Sequence, residues 1–174
     1  MKRKNGVFMA KIRERMKKIK LLVYDFDGVM TDNRVIVGQD GTESVVVHRG
    51  DGYGVSQIKK LPVEQVIIST ETNPVVRRRA EKLKIDIIHG VSDKKSTLTE
   101  YCQKKGYAME EVMFIGNDLN DYEAMMAAGV KGAPADAEEE ILAIADWISQ
   151  AKGGHGVIRE LYRVLQTYME QSGE

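Results

Sequence analysis

The stretch Leu21-Leu22-Val23-Tyr24-Asp25-Phe26-Asp27-Gly28-Val29-Met30-Thr31-Asp32 places two carboxylates just past an apolar run. A short continuous apolar run bounded by turn residues reads as a strand buried on both faces, the kind found in parallel sheets covered by helices. In extended chain residues i and i+2 point the same way, so Asp25 and Asp27 can face one pocket while Phe26 packs away from it. Open α/β sheets bind ligands beyond the carboxyl ends of their strands, and Gly28 lets the backbone turn sharply there. Two carboxylates held this close repel, so either one carries a proton or a cation sits between them; magnesium, a hard ion that favours oxygen ligands, fits. Taken alone, an Asp-x-Asp after a strand is equally compatible with a capping or turn role.

Outward from this stretch, short β-rich runs alternate with longer segments of helical period, the pattern of βαβ units, and the class is α/β with a parallel sheet flanked by helices. Parallel strands are expected at Leu21–Phe26, Gln65–Ile68, Asp86–Ile88, Val112–Ile115 and Val130–Gly132. Arg34–Val37 and Ser44–His48 flank Gly38-Gln39-Asp40-Gly41 and read as a projecting β-hairpin. Helices are expected over Gly54–Lys60, Pro74–Leu83, Lys94–Lys105, Leu119–Ala128, Ala137–Ala145 and Val157–Met169, with Pro74 in a first turn and Asp93 and Asp136 as N-caps.

The chain is 174 residues long, enough to bury one core without a disulfide or structural metal. Its 26 basic and 26 acidic residues cancel, so charge points to neither nucleic acid nor an anionic membrane. No apolar run approaches the roughly 20 residues that cross a bilayer, and the single Cys102 cannot form an internal disulfide, so a cytoplasmic protein is expected. Residues 1–19 are basic but lack the features of a secretory signal. They read as an N-terminal arm or short helix ahead of a single domain over 20–174.

Asp-x-Asp-Gly-Val-x-Thr after a buried strand resembles the nucleophile motif of the haloacid dehalogenase-like (HAD) phosphatases. In that family a Ser or Thr closes the second strand, a Lys begins a later helix, and an acidic cluster follows another strand. Here Ser69 follows Val66-Ile67-Ile68, Lys94 follows Asp93, and Gly116-Asn117-Asp118-Leu119-Asn120-Asp121 follows Phe114-Ile115. The resemblance implies a Rossmann-like fold and a magnesium-dependent phosphoric monoester hydrolase. Asp25 would be the nucleophile, forming an aspartyl phosphate and ligating the metal; Asp27 would be the acid/base and offer its carbonyl to the metal. Ser69 and Lys94 would bind the phosphoryl group, as charge on its oxygens must be neutralised before an anion can attack. Asn117 stands where the family usually places a third acidic ligand. An amide oxygen can ligate but brings no charge, so affinity should fall unless Asp118 takes the role. Asp121 is expected to orient Lys94 or a water.

Only the hairpin separates the nucleophile from Ser69, so no cap domain is expected. In this the chain resembles the capless 3-deoxy-octulosonate 8-phosphate phosphatases, their nine-carbon N-acylneuraminate or KDN relatives, and the phosphatase-like modules of acylneuraminate cytidylyltransferases. These are homotetramers in which a neighbouring subunit closes the site. The hairpin, Arg49-Gly50-Asp51-Gly52-Tyr53-Gly54 and Gly153-Gly154-His155-Gly156 carry that likeness. It implies substrate contacts for Thr70, Glu71, Arg79, Lys82, Arg49, His155 and Arg159. Glu71 stands where the eight-carbon enzymes usually place Arg. A carboxylate there would accept hydrogen bonds from hydroxyls rather than hold a sugar acid's carboxylate, so a nine-carbon 9-phosphate is the expected substrate and the octulosonate 8-phosphate the alternative. A non-catalytic assembly module is a rival of a different class, and a sugar mutase is disfavoured for want of a cap.

Overall fold

The computed structural model describes residues 12–170. Residues 12–16 form the described part of helix α1, and β1 (Leu21–Tyr24) follows. A small antiparallel ribbon comes next, made of β2 (Ile36–Val37) and β3 (Glu43–Ser44). Then come α2 (Arg49–Ile58), β4 (Glu64–Ser69), α3 (Pro74–Leu83), β5 (Asp86–His89) and α4 (Lys94–Lys105). After a 3-10 turn at Met109–Glu111 the chain continues through β6 (Val112–Ile115), α5 (Leu119–Ala127), β7 (Val130–Ala133), α6 (Glu139–Ile144), β8 (Trp147–Ile148) and α7 (Val157–Glu170).

Six strands form one parallel sheet in the order β5-β4-β1-β6-β7-β8. Alternate side chains along the central strands enter different cores, which is why these strands are apolar throughout. Leu22, Tyr24, Ile67, Met113 and Ile115 pack on one face with α2, α3 and α7, through residues such as Val55, Ile58, Ala80, Leu161 and Leu165. Leu21, Val23, Val66, Ile68, Val112 and Phe114 pack on the other with Leu98, Cys102, Met125 and Ile141 of α4, α5 and α6. From β1 the chain winds first toward β4 and β5, then returns to β1's other side as β6. The loops after β1 and β6 therefore part at a switch in winding direction, where open α/β sheets hold their ligands.

Several expected elements shift. The helix expected at Gly54–Lys60 begins at Arg49, because the glycines that suggest a loop serve close packing: a Cβ on Gly54 would stand 2.7 Å from the Ile158 carbonyl oxygen of α7. Asp136 is not a helix cap; α6 is entered at Glu138, and Asp136 Oδ1 instead accepts from Gly153 N at 2.8 Å. Asp93 does cap α4, accepting from Ser96 N at 3.0 Å. The edge strand β8, two residues long, carries too little pattern to be read from sequence. The hairpin's ladder is shorter than expected, with one further bridge between Thr31 and Val47. Only this ribbon and α2 lie between β1 and β4, so there is no cap domain there.

Of the basic arm expected over residues 1–19, residues 1–11 lie outside the described residues. Ile12, Met16 and Ile19 form an i, i+4, i+7 stripe buried in the first core, while Arg15 pairs with Asp146 through Nη1 at 2.8 Å and Nη2 at 3.0 Å. Among the described residues no helix is long and apolar enough to cross a membrane.

Candidate active site

Asp25 is the first residue past β1, and its N–H continues the ladder to β6 by donating to Ile115 O at 2.9 Å. Its Oδ1 accepts from Phe26 N at 2.7 Å and lies 2.8 Å from Lys94 Nζ. Lys94 also donates to Asp121 Oδ1 at 2.6 Å, and Asp121 Oδ2 accepts from Asn117 N at 2.9 Å and Asp118 N at 3.3 Å. One lysine and two carboxylates thus lie almost out of water, with side chains 1%, 7% and 0% exposed for Lys94, Asp25 and Asp121. Buried charge persists only when paired, and here one negative charge is left over. Burial first, then Asp121, pushes the Asp25 carboxyl above its ordinary range against the pull of Lys94. For Lys94, burial alone would lower the ammonium, but Asp25 and Asp121 outweigh it and raise it.

Asp27 lies in the turn past β1, with Oδ1 accepting from Thr31 Oγ1 at 3.3 Å. Burial raises its carboxyl; the Thr31 hydroxyl works against this, and the charge of Glu71 adds to it. A carboxyl held toward its neutral form can give a proton to a leaving alkoxide. Between Asp27 and Thr31 the chain turns at Gly28, with φ +79° and no room for a side chain: a Cβ would meet Asn117 Nδ2 at 2.1 Å.

The Asn117 amide oxygen faces Asp25 Oδ2 at 3.2 Å and Asp27 O at 2.8 Å, acceptor against acceptors. Rotating the amide would make its nitrogen donate to both; a cation at their centre would satisfy the oxygens as they stand. This oxygen trio, with the leftover negative charge beneath it, fits a hard divalent ion such as magnesium. No three His, Cys, Asp or Glu side chains cluster as a metal site among the described residues, because this trio is one carboxylate, one backbone carbonyl and one amide. The structure brings Asn117 to this point and not Asp118, whose Oδ1 caps α5 by accepting from Leu119 N at 2.6 Å. Asn117→Asp should therefore tighten magnesium on the order of tenfold, since ligand charge sets affinity at oxygen sites. Isothermal titration of magnesium checks this; unchanged affinity would mean that position 117 is not a ligand.

Ser69 ends β4 fully buried, and its Oγ accepts from Glu71 N at 3.1 Å. Thr70 is exposed beside it. A cavity of about 290 Å³ opens on Asp27 and is lined further by Arg34, Glu43, Glu71 and Asn73. Glu71 Oε1 accepts from Thr72 N and Asn73 N, both at 2.7 Å. Arg49, Arg79 and Lys82 line a different cavity, of about 420 Å³. There Arg79 Nη2 donates to His48 O at 3.1 Å, and its buried Nε has no partner. His155 and Arg159 lie in neither cavity: His155 Nδ1 bonds Gly153 O at 2.6 Å, and Arg159 stacks on Tyr53 at 4.0 Å.

The glycine-rich tail packs against the loop after β1 of its own chain, with Gly154 N donating to Val29 O at 3.0 Å. Asp51 anchors the first turn of α7, its Oδ1 accepting from Ile158 N and Arg159 N at 2.8 and 3.0 Å. Burial raises this carboxyl as well. Sequence reasoning missed Arg34, Glu43 and Asn73, which sit in segments read only as hairpin or turn. Their sole signal was being charged or polar on the limb next to Asp27.

The family model of the haloacid dehalogenase-like hydrolases matches residues 56–161. The 3-deoxy-D-manno-octulosonate 8-phosphate phosphatase KdsC of Escherichia coli is 30% identical over 161 residues, covering 92% of this chain and 86% of its own. Among solved structures, that of an HAD-family hydrolase of Streptomyces avermitilis is 41% identical, with a TM-score of 0.82 over 84% of this chain and 90% of the other. The 3-deoxy-D-manno-octulosonate 8-phosphate phosphatase of Moraxella catarrhalis, solved with magnesium, phosphate and KDO, is 31% identical, with a TM-score of 0.90 over 94% of each chain. On these likenesses the chain belongs to the haloacid dehalogenase-like hydrolases and is a phosphoric monoester hydrolase.

Proposed function

We propose that this enzyme hydrolyses the phosphate ester of a 3-deoxy-2-ketoaldonic sugar acid through an aspartyl phosphate on Asp25. The observation that carries the reading is the buried Asp25–Lys94–Asp121 cluster with Asp27 beside a cavity large enough for a sugar. The Asp25 carboxylate attacks phosphorus, and Lys94 offsets charge on the phosphoryl oxygens. Ser69 donates its hydroxyl to one of those oxygens. Asp27 protonates the departing alkoxide and then takes a proton from the water that opens the aspartyl phosphate, a role worth roughly 10²–10⁴ in rate. Asp25, the Asp27 carbonyl and Asn117 would hold magnesium, which would supply positive charge to the transferring group.

Within this class the eight-carbon 8-phosphate takes first place, because the relatives with named substrates act on it. The nine-carbon preference expected from Glu71 loses ground, since Oε1 already serves two backbone N–H groups. It stays as the second reading because Glu43 and the remaining Glu71 oxygen offer acceptors to the hydroxyls of a longer chain. Parallel hydrolysis of both phosphates decides: tenfold preference for the 9-phosphate would reverse the order. Turnover of neither would favour the assembly module.

The reading includes a homotetramer in which a neighbour closes the site. Val35, Ile36, Val37 and Val46 of the hairpin are 50%, 63%, 63% and 59% exposed, an apolar stripe of the kind that marks an interface. The cavity of Arg49, Arg79 and Lys82 is cationic surface that a neighbour could present to an anionic substrate. Ile36→Asp with Val46→Asp is expected to yield monomers in sedimentation and to raise KM for the sugar-acid phosphate; an unchanged assembly would place the interface elsewhere. A cytoplasmic setting agrees with the one free, buried thiol, Cys102.

A further inference from the structure

The cavity beside Asp27 has an uneven charge pattern. Asp27, Glu43 and Glu71 put three carboxylates on its wall, and Arg34 is the one cation there. Both glutamates are partly engaged: Glu71 Oε1 holds the Thr72 and Asn73 N–H groups, and Glu43 Oε2 accepts from Asn73 Nδ2 at 3.1 Å. That last bond ties the hairpin to the loop after β4 and closes the cavity's side. Arg34 is held by its backbone, with its N–H donating to Asp32 Oδ1 at 3.2 Å, after Asn33 takes a left-handed φ of 64°. Its exposed guanidinium has no ion pair or side-chain hydrogen bond among the described residues. A sugar acid whose phosphate sits at Asp25 must extend its carbon chain past Asp27, into this space. Its carboxylate would meet the like charges of Glu43 and Glu71 there unless a cation took it up, and a guanidinium offers the planar fork that matches a carboxylate.

We infer that Arg34 receives the substrate's carboxylate and so selects sugar acids over neutral sugar phosphates, while Glu43 and Glu71 accept from its hydroxyls. The inference rests on the sugar-acid reading above. It assigns to the hairpin a recognition role from within the same chain, in a position the expected contacts did not include.

The test compares wild type, Arg34→Met and Arg34→Lys on three esters: the 3-deoxy-2-ketoaldonate phosphate, an alditol phosphate of equal length without the carboxylate, and p-nitrophenyl phosphate. For the acid, Arg34→Met should raise KM by about 10- to 100-fold with kcat little changed, the loss of a charge-assisted pair. The alditol phosphate should bind as well as before, and p-nitrophenyl phosphate should report an intact centre. Arg34→Lys, which keeps the charge but not the fork, should fall between. A wild type that prefers the acid, joined to an Arg34→Met variant that keeps that preference, overturns the inference alone. A wild type indifferent to the carboxylate overturns the sugar-acid reading, and the role of Arg34 with it. Equal losses on all three esters would make Arg34 a structural residue and also overturn it.

Discussion

Asp25→Asn is expected to lose phosphate-ester hydrolysis by about 10⁴-fold or more, the scale on which removal of a covalent nucleophile acts. The amide keeps the shape of the carboxylate, and its oxygen can still accept from Phe26 N and Lys94, so the fold should survive. What disappears is the anionic oxygen that attacks phosphorus, together with the charged member of the oxygen trio formed with Asp27 O and Asn117. Steady-state phosphate release beside a thermal melt separates the two effects. Brief exposure of the wild type to substrate, followed by acid quench, should show a phosphorylated protein by mass that the variant does not form. A variant within tenfold of wild type would mean that water attacks the ester directly and Asp25 only positions it.

Lys94→Met is expected to destabilise the protein by about 3–5 kcal/mol at neutral pH, because it strips the counter-charge from two carboxylates that are almost wholly buried. Activity should fall with it, as the phosphoryl oxygens lose a cation. The pH dependence fixes the cause. Asp25 already has a folded value above its ordinary 3.8, and without the pull of Lys94 it moves further up. A carboxyl raised in the folded state favours folding below its unfolded value, and that contribution is lost as pH rises through the folded value. Because the folded value is about 8 with Lys94 in place, the variant's deficit from Asp25 should widen only as pH rises past about 8. Urea unfolding at pH 7 and 9.5 checks this, and an equal deficit at both would point to lost packing instead of an unpaired Asp25 carboxylate.

The places of Asp25, Asp27, Ser69 and Lys94 in the fold were legible because each depends on short-range rules. An apolar run ending in Asp-x-Asp declares a buried strand with carboxylates just past it, and it folds as β1 with Asp25 and Asp27 in the loop beyond its carboxyl end. Pro74 and Asp93 open α3 and α4 where their local chemistry demands. Local rules failed where contact, not pattern, decides. The helix from Arg49 runs through three glycines because one of them must clear Ile158. The stripe Ile12, Met16 and Ile19 was masked by the basic residues between, of which Arg15 pairs with Asp146 and Arg13 lies over the Tyr168 ring.

By itself, then, the sequence determined the α/β class, five of the six parallel strands and the placement of Asp25, Asp27, Ser69 and Lys94, since strand alternation and helix capping act over two to four residues. The tertiary structure decided what those residues meet. It set Asn117 instead of Asp118 against Asp25 and Asp27, joined Asp121 to Lys94, and moved Arg49, Arg79 and Lys82 into a cavity apart from Asp27. It also brought Arg34 into the cavity beside Asp27. These meetings join loops that lie tens of residues apart, and their closeness follows from strand order and from which helix covers which face.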